Sequence, residues 1–309
     1  MSYLAPKPDF SSHLKLVTDM THRDTIFVEN ADILERQEHA GDQVILRLHA
    51  PEIAARAQPG QFAHIQCDPA LPMRRPLSLM RVNAKSGWVD ILFKVLGDGT
   101  RLLAQRKTGD QLSVMGPIGK PFESHMKHSR PLLIGGGVGM PPMVFLADVL
   151  REVKGAYQPF VIMGSEVPFP FKSQPSKIMV PGVPSEVIAA MPLMDDWGIA
   201  SRLASQQGYP GCFEGYVTDL ARSWLDALSE EQHKEVAVFA CGPHPMLEAV
   251  AQLAREYHLP CQVSLEEFMA CAVGGCAGCT VEVQTANGPA MKRVCVDGPV
   301  FDSAAVFPG

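Results

Sequence analysis

Cys271, Cys276, Cys279 and Cys295 fall within 25 residues near the end of a 309-residue chain that holds eight cysteines in all. Their spacing is Cys-x4-Cys-x2-Cys-x15-Cys. The x4, x2 run is that of plant-type [2Fe-2S] centres, where four thiolates fill every terminal ligand position of the cluster. The residues between them (Ala272, Gly274, Gly275, Ala277 and Gly278) are small. A loop of such residues can wrap a cluster and aim backbone N–H groups at its sulfurs, which stabilises the cluster's negative charge. Zinc is the competing occupant, but it prefers two short cysteine pairs. Three cysteines in one loop with a fourth standing apart favour iron and sulfide. Cys67, Cys212 and Cys261 have no partner at ligand spacing and read as structural thiols.

Three further groups suit organic cofactors. Arg75-Pro76-Leu77-Ser78 follows Gly60-Gln61-Phe62. An arginine there can grip a pyrophosphate through its planar fork, and Ser78 can reach a flavin ring nitrogen. Gly99-Thr100 would add backbone N–H and hydroxyl donors to the same phosphates. Gly135-Gly136-Gly137-Val138-Gly139 lies between an apolar strand and a helix, where glycines let the backbone approach a dinucleotide pyrophosphate. Cys241-Gly242-Pro243 closes a second apolar strand, and the small Cys241 leaves room for a nicotinamide ring stacked on a flavin. Ser78 and Cys241 are therefore the side chains nearest the expected chemistry. His244 reads as a surface loop residue rather than a proton donor. Glu166, in Ser165-Glu166, would favour a free ribose hydroxyl and repel a 2′-phosphate, which points to NADH over NADPH.

Positioning these groups requires three kinds of architecture. Residues 25–125 show short β-prone runs broken by turns, such as Val44 to Leu48 and Trp88 to Val95, and predict an antiparallel barrel. Residues 128–258 alternate apolar strands (Pro131 to Ile134, Phe160 to Met163, Val236 to Ala240) with helices over Pro142 to Val153 and Pro245 to Tyr257. That alternation predicts a doubly wound parallel sheet, the kind that binds dinucleotides. Residues 261–309 are too few for a large core, so the metal centre is expected to organise them around a hairpin over Thr280 to Val294, turning at Asn287-Gly288. The proline-rich stretch Lys172 to Pro192 reads as an irregular insertion.

Composition sets outer bounds. With 46% apolar and 19% charged residues the chain can bury a real core, and a net charge of -6 argues against nucleic acid or an anionic membrane surface as partner. Met1 to Asp24 holds no apolar run of signal-peptide length, and Pro131 to Ala147 is too broken by glycine and proline to cross a membrane. The expectation is a cytoplasmic chain, where clustered cysteines bind metal more often than they form disulfides. The fifteen methionines are most simply core fillers, although Met269, beside the cysteine loop, is a candidate for shaping an interface.

Taken in order, these motifs resemble the ferredoxin reductase superfamily and, within it, the electron-transfer subunits of dihydroorotate dehydrogenase B. The resemblance covers roughly Thr25 to Pro308 and includes Leu92-Phe93-Lys94 and Gly215-Tyr216-Val217-Thr218-Asp219-Leu220. It implies that Arg75, Pro76, Leu77, Ser78, Leu92, Phe93, Lys94, Gly99 and Thr100 contact FAD. It also implies NADH as electron donor and a catalytic flavoprotein subunit or other redox protein as partner, in a homodimer or heterotetramer serving pyrimidine biosynthesis. Two departures stand out: the long Lys172 to Pro192 region, and Ser205-Gln206-Gln207-Gly208-Tyr209 where the family carries an acidic-glycine segment. The alternatives are a reductase component of an oxygenase or hydrogenase-type complex, and a zinc-stabilised binding scaffold on a degenerate nucleotide fold.

Overall fold

The computed structural model describes residues 25–123, 127–153 and 155–309; the N-terminal segment read above for a leader lies outside them. Six strands form the first unit: β1 (Phe27–His39), β2 (Gln43–His49), β3 (Phe62–Ile65), β4 (Arg75–Asn83), β5 (Trp88–Lys94) and β6 (Gln111–Ile118). They close into an antiparallel barrel in the order β1-β2-β5-β4-β3-β6. Two short helices, α1 (Pro51–Arg56) and α2 (Asp98–Ala104), sit in its loops. The period-2 alternation of β2 turns Val44, Leu46 and Leu48 inward against Ile91 and Phe93 of β5 and Ile65 and Val114 across the barrel. Strand β5 is buried on both faces. Its outward Leu92 joins Met80 with Met140, Met143 and Val144 of the next unit, so barrel and second unit share a core.

That second unit begins with β7 (Arg130–Gly136), helix α3 (Met140–Glu152) and β8 (Phe160–Gly164). The two-residue strands β9 (Gln174–Pro175) and β10 (Ala189–Ala190) follow, then α4 (Pro192–Asp196), β11 (Ala200–Ser205) and β12 (Phe213–Glu214). Helices α5 (Val217–Asp226) and α6 (Glu230–His233), strand β13 (Val236–Cys241), helix α7 (His244–Glu256) and strand β14 (Cys261–Ser264) complete it. The cysteine-rich end adds the hairpin β15 (Thr280–Thr285) and β16 (Gly288–Arg293), helix α8 (Val294–Asp297), strand β17 (Val300–Asp302) and helix α9 (Ser303–Val306). The large sheet runs β12-β11-β8-β7-β13-β14-β17. It is parallel except for β17, which pairs antiparallel with β14. Its strands are near-continuous apolar runs because helices cover both faces.

After β7 the chain moves outward through β8, β11 and β12, then returns to the other side of β7 as β13. The strand order therefore reverses between β7 and β13, and the crevice beyond their carboxyl ends is where open α/β sheets bind ligands.

Two parts of the chain differ from expectation. Cys261–Ser264 and Val300–Asp302, both placed within a separate C-terminal module by the sequence reading, are strands of the large sheet. The module is thus a loop and hairpin inserted between two sheet strands rather than a unit held together by metal alone. The Lys172 to Pro192 region is ordered: β9 pairs with β10, and Val187, Ala189 and Ala190 are buried. Arg202 anchors it by donating to the Ile178 carbonyl at 2.8 Å, while Asp195 accepts from the Ser176 hydroxyl and the Lys177 N–H.

Candidate functional site

The glycine-rich turn and Cys241 are in direct contact across the strand reversal. A Cβ placed on Gly139 would stand 2.2 Å from the Cys241 carbonyl oxygen, so only glycine lets the start of α3 pass so close to the end of β13. Gly136 and Gly242 both pack on the Met246 side chain, which a Cβ at either position would meet within 2.6 Å. Gly137 has φ +55° and no atom near where its Cβ would be, so it is the open point of the turn, facing the crevice. Val138 beside it is half-buried, and Pro243 caps α7. His244 packs edge-on against the Phe307 ring, at 5.1 Å between centroids, as a surface residue should.

Cys241 is fully buried, and burial followed by the nearby Glu266 carboxylate pushes its thiol well up, against a hydrogen bond with Ser264. A thiol so buried and raised stays neutral and is not a nucleophile. Ser264 is its register partner on β14. Glu266 follows two residues later, just past the end of β14 and near enough to bear on the Cys241 thiol, and desolvation pushes its own carboxyl up. Ser264 and Glu266 are functional candidates that sequence reasoning missed, since β14 was not recognised as a sheet strand.

On the barrel, the structure brings Arg75 and Gly99 together: a Cβ on Gly99 would meet Arg75 Nε at 2.8 Å. The guanidinium is held by the carbonyls of Met73 at 2.8 Å and Arg74 at 3.2 Å, beside the first turn of α2. The first N–H groups of a helix lack intrahelical partners and complement an anion held by arginine. The Thr100 hydroxyl does not join them. It donates to the Gly97 carbonyl and accepts from the N–H groups of Leu96 and Gly97, closing the helix start.

Ser78 lies opposite Phe62 on the β3–β4 pair, and Pro76 opposite His64. Strand alternation turns Leu77 and Phe93 toward the barrel core and Leu92 toward the shared core, so these three side chains pack rather than project. Lys94 is half-buried at the end of β5.

The four cysteines are all free thiols, brought to one loop and the start of α8. Cys276 is exposed, whereas Cys279 and Cys295 are buried. Ala272, Gly274 and Ala277 all take positive φ, a run of left-handed residues that turns backbone N–H groups inward. The Cys276 N–H donates to Cys271 Sγ and the Gly278 N–H to Cys276 Sγ, each at 3.4 Å. Burial raises the Cys271 thiol, but the N–H groups of Val273, Cys276 and Gly275 outweigh it and bring it down to about 7. Burial, then Cys279 and Cys271, pushes Cys295 up to about 12. Among the described residues no three His, Cys, Asp or Glu side chains are gathered as a grip on a single metal ion. The donor set of four sulfurs, with N–H groups aimed at those of Cys271 and Cys276, fits an iron–sulfur cluster. Arg293 braces the loop by donating to the Gly274 carbonyl at 3.0 Å, and the Val294 N–H bonds the Cys279 carbonyl at 2.9 Å.

Comparison with known proteins agrees with this geometry. Residues 266–307 match the iron–sulfur cluster binding domain of dihydroorotate dehydrogenase B. The electron transfer subunit of dihydroorotate dehydrogenase B (NAD(+)) from Desulforamulus reducens is 32% identical over 280 residues, covering 89% of this chain and 97% of that protein. The chain belongs to this family of electron transfer subunits. The Geobacillus kaustophilus member is 37% identical over 81% of this chain and 86% of its own length.

Among solved structures, an NADH-dependent reduced ferredoxin-NADP oxidoreductase studied for flavin-based electron bifurcation superposes with a TM-score of 0.72. It is 26% identical and covers 90% of both chains. The ferredoxin reductase of carbazole 1,9a-dioxygenase shares the fold at a TM-score of 0.56 and 19% identity, covering 76% of this chain and 67% of its own. Family membership makes the chain an oxidoreductase subunit, and the cysteine loop is its iron–sulfur cluster binding domain. No helix among the described residues is long and apolar enough to cross a membrane.

Proposed function

We propose that this subunit takes electrons from NADH and delivers them to a partner protein, with FAD on the barrel, NAD(H) in the β7–β13 crevice and a [2Fe-2S] cluster on the four cysteines. One observation carries the reading: the Arg75–Gly99 pair, the Gly139–Cys241 contact and the four-thiol loop belong to units that share packing. The barrel and sheet share a core, and the Lys120 N–H bonds the Gly298 carbonyl, clamping barrel to cluster segment. Bound here, a flavin accepts a hydride from a nicotinamide and a [2Fe-2S] centre carries electrons singly, so the protein's task is placement and tuning.

Each residue then has a role. Arg75 and the first turn of α2 hold the flavin pyrophosphate, and Ser78 and Pro76 line its ring. Gly135 to Gly139 receive the nicotinamide nucleotide's phosphates, and Cys241 with Gly242 and Pro243 walls the nicotinamide. Glu266, whose carboxyl burial pushes up, stands beside Cys241 where it can exchange a proton. Cys271, Cys276, Cys279 and Cys295 ligate the cluster. Residues 25–125, 128–258 and 261–309 divide these tasks, the last sharing strands with the second. Glu166 is exposed just beyond β8 and favours NADH over NADPH by repelling a 2′-phosphate.

The partner we propose is the catalytic flavoprotein subunit of a dihydroorotate dehydrogenase. Phe268 is 94% exposed, and Val273 and Val296 are exposed near the solvent-facing Cys276, an apolar surface suited to a protein partner. Copurification from the native cell tests this: a dihydroorotate-oxidising subunit is the expected companion, and an oxygenase or hydrogenase component in its place contradicts it. The absorbance spectrum of anaerobically prepared protein tests the cofactors. Flavin bands with a broad cluster shoulder are expected; a colourless, zinc-containing protein overturns the reading.

A further inference from the structure

The outer face of the barrel carries a row of charges that the site above does not use. Strand alternation turns Leu46, Leu48, Val89 and Ile91 into the barrel, so Arg47, Trp88 and Asp90 face outward. Counted from the inward Leu79, Arg81 would point inward too. A β-bulge prevents this: Leu79 lies opposite Ile91 but Arg81 lies opposite Asp90, which leaves Met80 as the extra residue. Met80 and Arg81 therefore both face the second unit. Asp90 is buried and accepts from Arg47 Nε at 2.8 Å and Nη2 at 2.9 Å, with Arg81 Nη1 4.0 Å away. Arg81 Nε is buried without a hydrogen-bond partner among the described residues.

What the Arg81 guanidinium meets instead is aromatic. It lies 5.5 Å from the centre of the Trp88 ring on the barrel and 5.9 Å from that of Trp197 in the second unit. The stack continues on both sides. Arg47 covers Trp88 at 4.0 Å, and Arg151, in the last turn of α3, covers Trp197 at 4.5 Å. Cations and rings thus alternate from β2 to α3, and Arg81 is the link that crosses between the units. Trp197 follows α4, just beyond the Lys172 to Pro192 insertion, and its N–H bonds the carbonyls of Leu193 at 3.2 Å and Met194 at 3.1 Å.

The apolar part of the joint leaves the angle between the units loose. It is rich in methionine, which is flexible enough to fit many arrangements, and a cavity of about 30 Å³ lies among Met80, Leu92, Met140, Met163 and Met191. Helix α3 crosses this joint, with Phe145 and Val149 packed on the barrel core and Gly137 and Gly139 just before its start at the crevice. Its 13 residues span about 20 Å, so a tilt of about 5° moves one end against the other by about 2 Å. A misplacement of that size is enough to slow a reaction between two bound partners by tenfold or more.

We propose that Arg81 is a positioning residue for hydride transfer: held between Trp88 and Trp197, it fixes the tilt of α3 against the barrel and so the approach of the nicotinamide crevice to the flavin site. This rests on the flavin and nucleotide assignments above. The step it serves moves one hydride, with its two electrons, from NADH to bound FAD and leaves NAD⁺ and reduced flavin. The insertion gains a role as well, since it leads the chain to the point where Trp197 meets Arg81.

The test compares wild-type holoprotein with Arg81→Gln, Trp197→Leu, the double variant and Trp197→Phe, which keeps a ring. Flavin and iron content are measured, with the limiting rate and half-saturating NADH concentration of flavin bleaching and the rate of flavin reduction by dithionite. Hydrogen exchange is followed across residues 147–152 and 192–197. Arg81→Gln and Trp197→Leu are expected to keep both cofactors and the dithionite rate, to exchange those segments faster, and to lower the limiting NADH rate about tenfold. The double variant is expected to be no slower than the slower single one, because both remove the same contact. Trp197→Phe is expected to stay within about twofold of wild type. Wild-type limiting rates in the single variants, unchanged exchange, or a double defect that multiplies the two single ones overturns the proposal. If Trp197→Leu does not fold, tenfold slowing in Arg81→Gln but not in Trp197→Phe supports it, and any other pattern overturns it. A wild type that binds no flavin, or whose flavin NADH does not bleach, overturns the functional reading and this proposal together. Normal bleaching in the wild type beside unaffected variants overturns this proposal alone.

Discussion

The guanidinium of Arg75 lies so close to Gly99 that a Cβ on Gly99 would stand 2.8 Å from Arg75 Nε. Two motifs separated in sequence are thus brought together where the proposed function puts the flavin phosphates, with the glycine making room for the arginine. Gly99→Ala displaces only the end of a flexible side chain, so stability should stay within about 0.5 kcal/mol of wild type. Flavin retention should fall about tenfold or more, matching Arg75→Ala, because a charge-assisted contact is worth about 1.5–3 kcal/mol. Flavin-to-protein absorbance after gel filtration reads this; full retention in either variant moves the phosphate site elsewhere.

The Gly139–Cys241 contact predicts a contrast between two glycines of one turn. Gly139→Ala drives a methyl into backbone 2.2 Å away and should cost about 3 kcal/mol or more, with loss of nucleotide binding. Gly137→Ala meets no atom and carries only the penalty of a positive φ, about 1 kcal/mol. Chemical denaturation of the two variants checks the ranking.

Cys276 is the exposed cysteine of the four. Cys276→Ser should abolish cluster-dependent transfer to the partner and leave NADH reduction of the flavin largely intact, as followed by flavin bleaching. The β14–β17 pairing that brackets the loop gives the module a frame independent of the metal. Loss of both activities together would mean that the cluster holds the fold.

His64 predicts an acid sensitivity. Burial first, then the Arg74 charge, lowers its pKa to about 4 from 6.5. The unfolded chain therefore takes up a proton below pH ~6.5 that the folded chain refuses until pH ~4, so this group's stabilising contribution is full above pH ~6.5 and falls as pH drops through that window. Between pH 7 and pH 5 it should remove about 2 kcal/mol. Denaturation at the two pH values should show a loss in wild type that is smaller by about this amount in His64→Leu; equal losses contradict the burial argument.

Much of this was legible in the sequence because it is local. The β-prone run Val44 to Leu48, the apolar runs at Pro131 to Ile134 and Val236 to Ala240, and the turn signal around Asn287-Gly288 each mark an element that the structure contains, the hairpin closing one residue earlier with Thr285 opposite Gly288. What escaped depends on pairing across the chain. Cys261–Ser264 and Val300–Asp302 are too short and mixed to announce strands, and become so only by pairing with β13 and each other. Glu266 looks like one of two surface glutamates until β14 places it beside Cys241. The Thr100 hydroxyl looked free because its capping bonds are a property of the helix start, and Phe93 looked available because its inward turn depends on barrel closure.

In the proposed function, electrons entering from NADH reach the four-cysteine centre through this one subunit. Anaerobic titration of the purified holoprotein with NADH, followed by absorbance and EPR on the same samples, tests it most directly. The account predicts bleaching of the flavin bands accompanied by the EPR signal of a reduced [2Fe-2S] cluster, the latter absent in Cys276→Ser. Flavin bleaching with no cluster signal in the wild-type protein, at any NADH excess, would contradict it.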